Sequence, residues 1–283
     1  MIKKLFILSF IAFFSNCNYG KLVVVTDLPK KLHEVSGMEY NPESDDFWML
    51  NDGGNPDEIY RISKKGEITQ TLKIDKKNHD WEDFTKDDKG NLYIADFGNN
   101  FNRRKNLRIL IVEKKEFDEK KAEVDKIEFS YPDQKSFPPE KDNRVFDAEG
   151  LLYFNDYLYI FTKSRIKNNF GKTSLYRIPA KKGEYVAEFI STYESCSNNY
   201  CWITSAAMSP NKNKVALLSQ SRILIFTDFK NDDFLSGNVK TIRLETNSQI
   251  ESICFKDNNT VYISDERTKG EGGNLYELKL TLD

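Results

Sequence analysis

Five segments of the chain repeat one short pattern, and this repeat constrains the fold more than any other sequence feature. Each segment has a polar start, then a Ser or Glu, then a small or acidic residue and an apolar run. The segments span residues 34–40, 80–86, 147–153, 203–209 and 249–255. Their spacing of 46 to 67 residues fits one four-stranded propeller blade with loops of variable length.

Three further β-like runs follow each of the first four segments, and only two follow the fifth before the chain ends. Residues 21–28 (KLVVVTDL) form an additional strand pattern at the N-terminus, and this strand can complete the last blade and remove an open sheet edge. The 14 Tyr and 20 Phe also favour strands. The sequence therefore predicts an all-β chain: a five-bladed β-propeller closed by an N-terminal strand, in a single domain over residues 21–283. A six-bladed ring is the alternative.

Residues 1–20 have the composition of a secretory signal peptide. Lys3 and Lys4 precede ten mostly apolar residues, which is too few to span a bilayer. Cys17 follows this run and resembles the lipidated cysteine of a bacterial lipoprotein, although Phe14 and Asn16 depart from the usual pattern. Plain cleavage near Gly20 is the alternative. Either interpretation predicts an exported bacterial protein that is periplasmic, anchored to the outer membrane or extracellular, and that contacts a membrane only through a lipid anchor.

Two later cysteines fit export. Cys196 and Cys201 lie in the segment CSNNYC, where an oxidising compartment favours a disulfide. A metal site is the alternative, but no histidine lies nearby. Cys254 lies in an apolar strand pattern and is interpreted as a small buried hydrophobe.

The Ser/Glu position of the repeat predicts a metal site. The innermost strands of a propeller run side by side around the channel, so equivalent positions converge there. Three carboxylates within ~5 Å would repel by about 3 kcal/mol for each pair at an effective dielectric of ~20. Oxygen ligands of this kind suit Ca²⁺ better than Zn²⁺ or Mg²⁺. The predicted ligands are Ser36, Glu82, Glu149, Ser205 and Glu251. Alternatively, each Glu bonds a neighbouring backbone and water fills the channel.

Histidines, acids and arginines cluster in sequence near this position. Candidates for a general acid or base are His33, His79, Asp80 and Asp147. Incidental placement of both histidines is the alternative. Cationic side chains that follow the second strands could bind an anionic ligand. These are Arg104, Lys163, Arg165, Arg222 and Arg267. Ordinary Arg–Asp pairing on the surface is the other interpretation.

Two family resemblances carry further expectations. The motifs SG, NDGGN, DWED, DFGNN, YPD and DAEG within residues 36–149 resemble an uncharacterised group of secreted bacterial propeller proteins, which implies the fold and no activity. The Ser, Glu, Glu, Ser, Glu order resembles the channel series of the calcium-activated nucleotidases (apyrases). That resemblance implies a channel Ca²⁺ and, more weakly, a nucleotidase reaction, since no catalytic loop of that family matches. Glu149-Gly150-Leu151 is similar to the phytase-related esterase domains over three residues only.

Two classes of function follow. The first is an exported, calcium-stabilised propeller that binds a ligand or partner at its top face, the face of the channel mouth. The second is a calcium-dependent hydrolase of phosphate or other anionic esters, and the sequence leaves open whether the protein is an enzyme. The balance of 42 Lys and Arg against 44 Asp and Glu argues against nucleic acid as a partner. The ligand is predicted to be anionic and the protein monomeric.

Overall fold

The computed structural model describes residues 21–246 and 248–281. The predicted signal peptide, with Cys17, lies outside these residues. The chain begins with strand β1 (Val23–Asp27) and a short 3₁₀ turn (Lys30–Leu32). Blade 1 follows, with β2 (Val35–Asn41), β3 (Asp46–Asn51), β4 (Glu58–Ser63) and β5 (Ile68–Ile74).

The chain segments of the next two blades each include one additional short strand, which pairs with the sheet of the preceding blade. The segment of blade 2 contains β6 (Trp81–Lys86), β7 (Leu92–Asp96), β8 (Leu107–Val112), a 3₁₀ turn (Lys114–Glu116), β9 (Lys121–Ala122) and β10 (Asp125–Ser130). Blade 3 follows a 3₁₀ turn (Lys141–Asn143) and contains β11 (Asp147–Phe154), β12 (Tyr157–Lys163), β13 (Lys172–Pro179), β14 (Gly183–Val186) and β15 (Glu188–Glu194).

The last two blades complete the ring. Blade 4 follows a 3₁₀ turn (Asn199–Cys201) and contains β16 (Ile203–Met208), β17 (Lys214–Ser219), β18 (Arg222–Thr227), a 3₁₀ turn (Phe234–Ser236) and β19 (Asn238–Arg243). Blade 5 contains β20 (Ile250–Asp257), β21 (Thr260–Asp265), the small hairpin β22 (Arg267–Thr268) and β23 (Glu271–Gly272), and β24 (Asn274–Lys279).

The innermost strands form a closed ring. Each contacts the innermost strand of the next blade, in the cyclic order β2, β6, β11, β16, β20 and back to β2. Strand β1 pairs antiparallel with β24 and supplies the outermost strand of blade 5. The prediction of an all-β, five-bladed propeller closed by its N-terminal strand is therefore confirmed, and the six-bladed alternative is wrong.

Apolar side chains between the blades form the core. Five clusters of buried residues occur in the described part of the chain, one at each boundary between neighbouring blades. A blade buries both faces in this arrangement, so a middle strand such as β3 is buried at every position. This explains why the second strand of each repeat is a continuous apolar run rather than an alternating one.

Two blades have covered outer edges. Strand β9 pairs parallel with β5 of blade 1, and β14 pairs parallel with β10 of blade 2. Each short strand lies in the chain segment of the following blade. It forms hydrogen bonds with the backbone of the outermost strand, which would otherwise be an open sheet edge. In the described residues, no helix has the length and apolar character needed to cross a membrane.

Candidate functional site

Every innermost strand contains a β-bulge near its start, and the bulged residue faces the channel. The register between first and second strands shifts at Ser36, Glu82, Glu149, Thr204 and Glu251. In blade 4 the structure thus places Thr204, not Ser205, at the position equivalent to the other four. The sequence pattern is one residue out of register there because two hydroxyl residues adjoin, and only the strand pairing distinguishes them. A bulge lets one side chain leave the sheet ladder and point toward the axis.

Ser205 lies one layer deeper. Its hydroxyl donates to Asp83 Oδ1 at 3.1 Å and accepts from the Ile253 amide at 3.4 Å. Asp83 also accepts from the amides of Leu151 at 2.8 Å and Ala206 at 3.2 Å. This one carboxylate therefore joins blades 2, 3 and 4 beneath the bulges, and Ser205 extends the connection to blade 5.

The bulges surround a small chamber at the top of the channel. Its volume is about 100 Å³, enough for an ion with a few water molecules at ~30 Å³ each. The chamber is lined by Ser36, Asp52, Glu82, Asn100, Glu149, Lys163, Thr204, Gln249, Glu251 and Glu266. Four of the five predicted metal ligands thus line one space, together with additional acidic, amide and lysine side chains.

The additional acids come from the loops that follow the second strands. In blades 1, 3 and 5 the residue before the bulge pairs with Asn51, Thr162 and Asp265, and the next residues are Asp52, Lys163 and Glu266. Lys163 is still part of β12. Neither Asp52 nor Glu266 was among the predicted site residues. Asp265 is buried away from the chamber, where it accepts from the Asn274 amide and from the Tyr276 hydroxyl, both at 2.7 Å.

Blades 1 and 2 contribute three carboxylates with little compensation. Ligand oxygens of Asp52, Asp80 and Glu82 all lie within 4.8 Å of one another. Glu82 is 5% exposed and, among the described residues, forms no hydrogen bond or ion pair. Gly98 permits this packing, since a Cβ there would stand 2.0 Å from Glu82 Oε1. We call this set the open acidic cluster.

Blade 3 contributes carboxylates that are already neutralised. Lys163 Nζ lies 2.7 Å from Glu149 Oε1. Arg165 Nε lies 2.6 Å from Asp147 Oδ2, and its terminal nitrogen lies 3.5 Å from Glu149. Asp147 also accepts from the Asn99 amide at 2.7 Å. The ion pairs therefore divide the chamber into a compensated half and an uncompensated half.

Burial and mutual repulsion raise the pKa values of the acids. Burial, followed by the charges of Glu149, Asp80 and Glu251, raises the pKa of Asp52 to about 8. Burial raises the pKa of Glu266 to about 8 and that of Glu251 to about 7. The pKa of Glu82 is well above its usual range, from burial first and then from neighbouring carboxylates. Such groups reach their charged form more readily when a cation is present.

One ring nitrogen of His79 is already engaged by neighbouring side chains. Its Nδ1 lies 3.2 Å from Asp96 Oδ2 but 2.9 Å from an Arg108 nitrogen, which can only donate. Asp96 is itself paired with Arg104 at 2.9 Å and with Arg108 at 2.8 Å. Nδ1 is therefore engaged by both neighbours, and Nε2 is the ring nitrogen that remains for a ligand.

The remaining predicted residues lie at several places. His33 is half-exposed, and its Nε2 lies 3.9 Å from Glu34. The guanidinium of Arg104 donates to the Gly98 carbonyl at 2.7 Å and lies 3.9 Å from Asp80. Arg267 donates to the backbone carbonyls of Leu28 and Gly273. Arg222 contacts Ser221 and lies opposite Arg243 in the sheet. Of the five cations predicted to bind a ligand, Lys163 alone is part of the chamber lining.

The top face also holds the disulfide. Cys196 and Cys201 are bonded, with Cα atoms 6.0 Å apart, and Cys254 is free and buried. The loop ends at Trp202, whose indole donates to the Ser164 carbonyl at 2.6 Å. Arg165 and Lys163 lie over the indole ring at 5.0 Å and 5.5 Å. The disulfide loop thus packs against the cationic side of the chamber.

The comparisons with known proteins define the class of protein by fold. No protein-family model and no curated protein matches the sequence. The PQQ-bound aldose sugar dehydrogenase of Streptomyces coelicolor matches with a TM-score of 0.54 and 11% identity over 91% of this chain and 97% of that one. The hydrazine synthase of Kuenenia stuttgartiensis matches with a TM-score of 0.51 and 11% identity over 88% and 84%.

A gluconolactonase of Xanthomonas campestris is similar at a TM-score of 0.49 and 12% identity, over 92% of this chain and 80% of that one. Identities this low show a shared fold alone. The chain is a β-propeller with buried acidic clusters that can hold a metal ion, and its resemblance to the nucleotidases stays a prediction.

Proposed function

We propose that the protein is an exported β-propeller that binds one Ca²⁺ ion in its channel mouth and, above that ion, an anionic ligand or partner at the top face. The open acidic cluster carries this proposal, because Glu82 is a buried carboxylate without a hydrogen-bond or ion-pair partner in the described structure. A buried, unpaired charge is costly and is relieved by a cation or a proton.

The donor set favours calcium among common cations. All the donor groups that line the chamber are carboxylates, hydroxyls and amides, apart from Lys163. Ca²⁺ accepts six to eight oxygen ligands at variable geometry, whereas Zn²⁺ prefers the nitrogen and sulfur ligands that this chamber lacks. Asp52, Asp80 and Glu82 would hold the ion, and the hydroxyl and amide side chains would supply further oxygens.

The chamber limits what can approach the ion. At about 100 Å³ it admits an ion and small groups, so a larger ligand would present only a carboxylate or phosphate end to it. Arg165 and Lys163 flank this opening on the compensated side. An anionic group between a divalent ion and these cations is the arrangement that the charges favour. The Cys196–Cys201 disulfide supports export, since such bonds persist in oxidising compartments.

Thermal unfolding of residues 21–283, which contain all five blades, tests the cation. With EDTA the protein should melt several degrees lower than with excess Ca²⁺, since a ligand at one hundred times its Kd adds about 2.7 kcal/mol. Mg²⁺ should give a smaller shift. Glu82→Gln should abolish the calcium shift, while Glu184→Gln, the same change at an exposed position of β14, should retain it. An equal shift in both variants would place the ion elsewhere.

A calcium-dependent hydrolase is the second candidate. It is favoured by one observation, the exposed imidazole of His79 next to Asp80 of the open acidic cluster. A panel of phosphate and carboxylate esters with Ca²⁺ distinguishes the two functions. Turnover that falls at least tenfold in His79→Gln, with an unchanged melting temperature, would establish the hydrolase, whereas saturable binding of an anion without turnover would establish the binding protein.

A further inference from the structure

We propose that Lys163 occupies a second cation position in the channel and so restricts the chamber to one divalent ion. This inference rests on the proposed calcium site and states what limits the number of ions that the chamber binds. The chamber has two groups of converging carboxylates that share Glu82: one with Asp52 and Asp80, the other with Asp147 and Glu149. In each group the ligand oxygens lie within 4.8 Å of one another.

The two groups differ in what already fills them. In the second group Lys163 lies 2.7 Å from Glu149 and Arg165 lies 2.6 Å from Asp147. In the open acidic cluster the nearest cation is Arg104, at 3.9 Å from Asp80. A protein ammonium group thus sits where a metal ion would sit in the second group. Among the residues that the structure describes, none places such a group beside Asp52 and Glu82.

The strand pairing shows that Lys163 replaces an acid. Asp52 in blade 1, Lys163 in blade 3 and Glu266 in blade 5 occupy corresponding positions relative to the bulges, one residue after the partner of the residue that precedes each bulge. All three line the chamber. With an acid at blade 3 as well, the compensated half would be as negative as the other. The lysine therefore changes the sign of charge at one of three matching positions.

Lys163 is also held in place. The residue is 8% exposed, and its ammonium lies 5.5 Å from the centre of the Trp202 ring. Trp202 is itself fixed by its bond to the Ser164 carbonyl at 2.6 Å. A lysine with this packing is a resident counter-ion of Glu149 rather than a surface side chain that solvent would draw away.

Calorimetric titration with Ca²⁺ at pH 7.5 tests the assignment. The unaltered protein should bind one ion. Lys163→Gln should bind two, or bind the first at least tenfold more tightly, because a positive charge has left the chamber. Lys163→Arg retains the charge and should bind one ion with nearly unchanged affinity. Lys212→Gln removes a lysine that pairs with Asp88 at 3.0 Å outside the chamber, and it controls for the change in net charge.

The outcomes separate this inference from the proposed function. One site of equal affinity in the unaltered protein, Lys163→Gln and Lys212→Gln would overturn the role of Lys163 and leave the calcium site standing. No binding by any protein would overturn both. Lys163→Gln could be unfolded in EDTA, in which case melting with and without Ca²⁺ gives the test. Ca²⁺ should then restore a melting transition and raise the melting temperature more than it does in the unaltered protein. An equal or absent rise overturns the assignment. Adding Glu149→Gln to Lys163→Gln should abolish the second site.

Discussion

Two adjacent carboxylates, Glu82 and Asp83, have different roles in the channel. Glu82 sits on a bulge and lines the chamber without a partner, whereas Asp83 points one layer deeper and accepts four hydrogen bonds. The first carboxylate is available to a ligand and is destabilising when charged and alone. The second is fully used by the fold, because it joins three blades through their backbone amides.

Neutralising these two residues should have opposite effects on stability. Glu82→Gln removes an unpaired buried charge and should raise the free energy of unfolding in EDTA at pH 7.5. Asp83→Asn places an NH₂ group against amide donors and should lower it by about 2–3 kcal/mol, since an unsatisfied buried donor costs about 1–3 kcal/mol. Urea unfolding of both variants measures the difference. Destabilisation of the two by the same amount would show that Glu82 has a structural partner.

At the scale of strands, the N-terminal segment is as much a part of the fold as any interior strand. Strand β1 closes blade 5 through its pairing with β24, and Leu28 just after it is 3% exposed in the cluster between blades 5 and 1. Closure joins the two ends of the chain, so loss of this segment would expose an edge of β24 and an apolar boundary at once.

Leu28→Ala should therefore destabilise the protein like a core substitution, by about 2–4 kcal/mol. Val23→Ala, in the same strand pairing but at a position 65% exposed, should change stability by less than about 0.5 kcal/mol. Denaturant midpoints of the two variants give the comparison. A small effect of Leu28→Ala would mean that the ring is stable without its closing segment.

For the whole molecule, the surplus of buried acids makes stability depend on pH. Burial first, and then like charges, raises the pKa of Asp52 to about 8 and that of Glu251 to about 7, against about 4 in an unfolded chain. Between these values the folded state binds more protons than the unfolded state, so stability falls as pH rises from about 4 to about 8. The direction is opposite to that of carboxylates held in salt bridges.

Urea unfolding in EDTA should show lower stability at pH 8 than at pH 5, by about 4 kcal/mol for Asp52 alone, since each pKa unit of a single group corresponds to about 1.4 kcal/mol. Saturating Ca²⁺ should reduce the difference, because the ion takes the place of the protons. A metal-free protein that gains stability over the same range would contradict the charge distribution described here.

The repeat in the sequence was sufficient to predict the blades, their order and the closing strand, because strand patterns and their spacing are local properties. The channel was predicted less completely. Thr204 was missed by one residue and Glu266 was not predicted, since the bulges and strand pairings that select them depend on contacts between strands. Lys163 was expected to meet an external anion, and its pairing with Glu149 could not be read from residues 14 positions apart. Gly98 gave no signal, as its role is to leave space for Glu82.

The hydrogen bonds of Asp83 also affect how an ion would move along the channel. They connect blades 2, 3 and 4 below the chamber, while a separate cavity of about 290 Å³ lies beyond them, lined by Thr85, Leu152 and Ala206 among others. The hydrogen bonds of Asp83 thus lie between the chamber and this second cavity, so we expect an ion in the chamber to exchange through the top face. Under the proposed function, a ligand bound at the top face would therefore slow the dissociation of the ion beneath it.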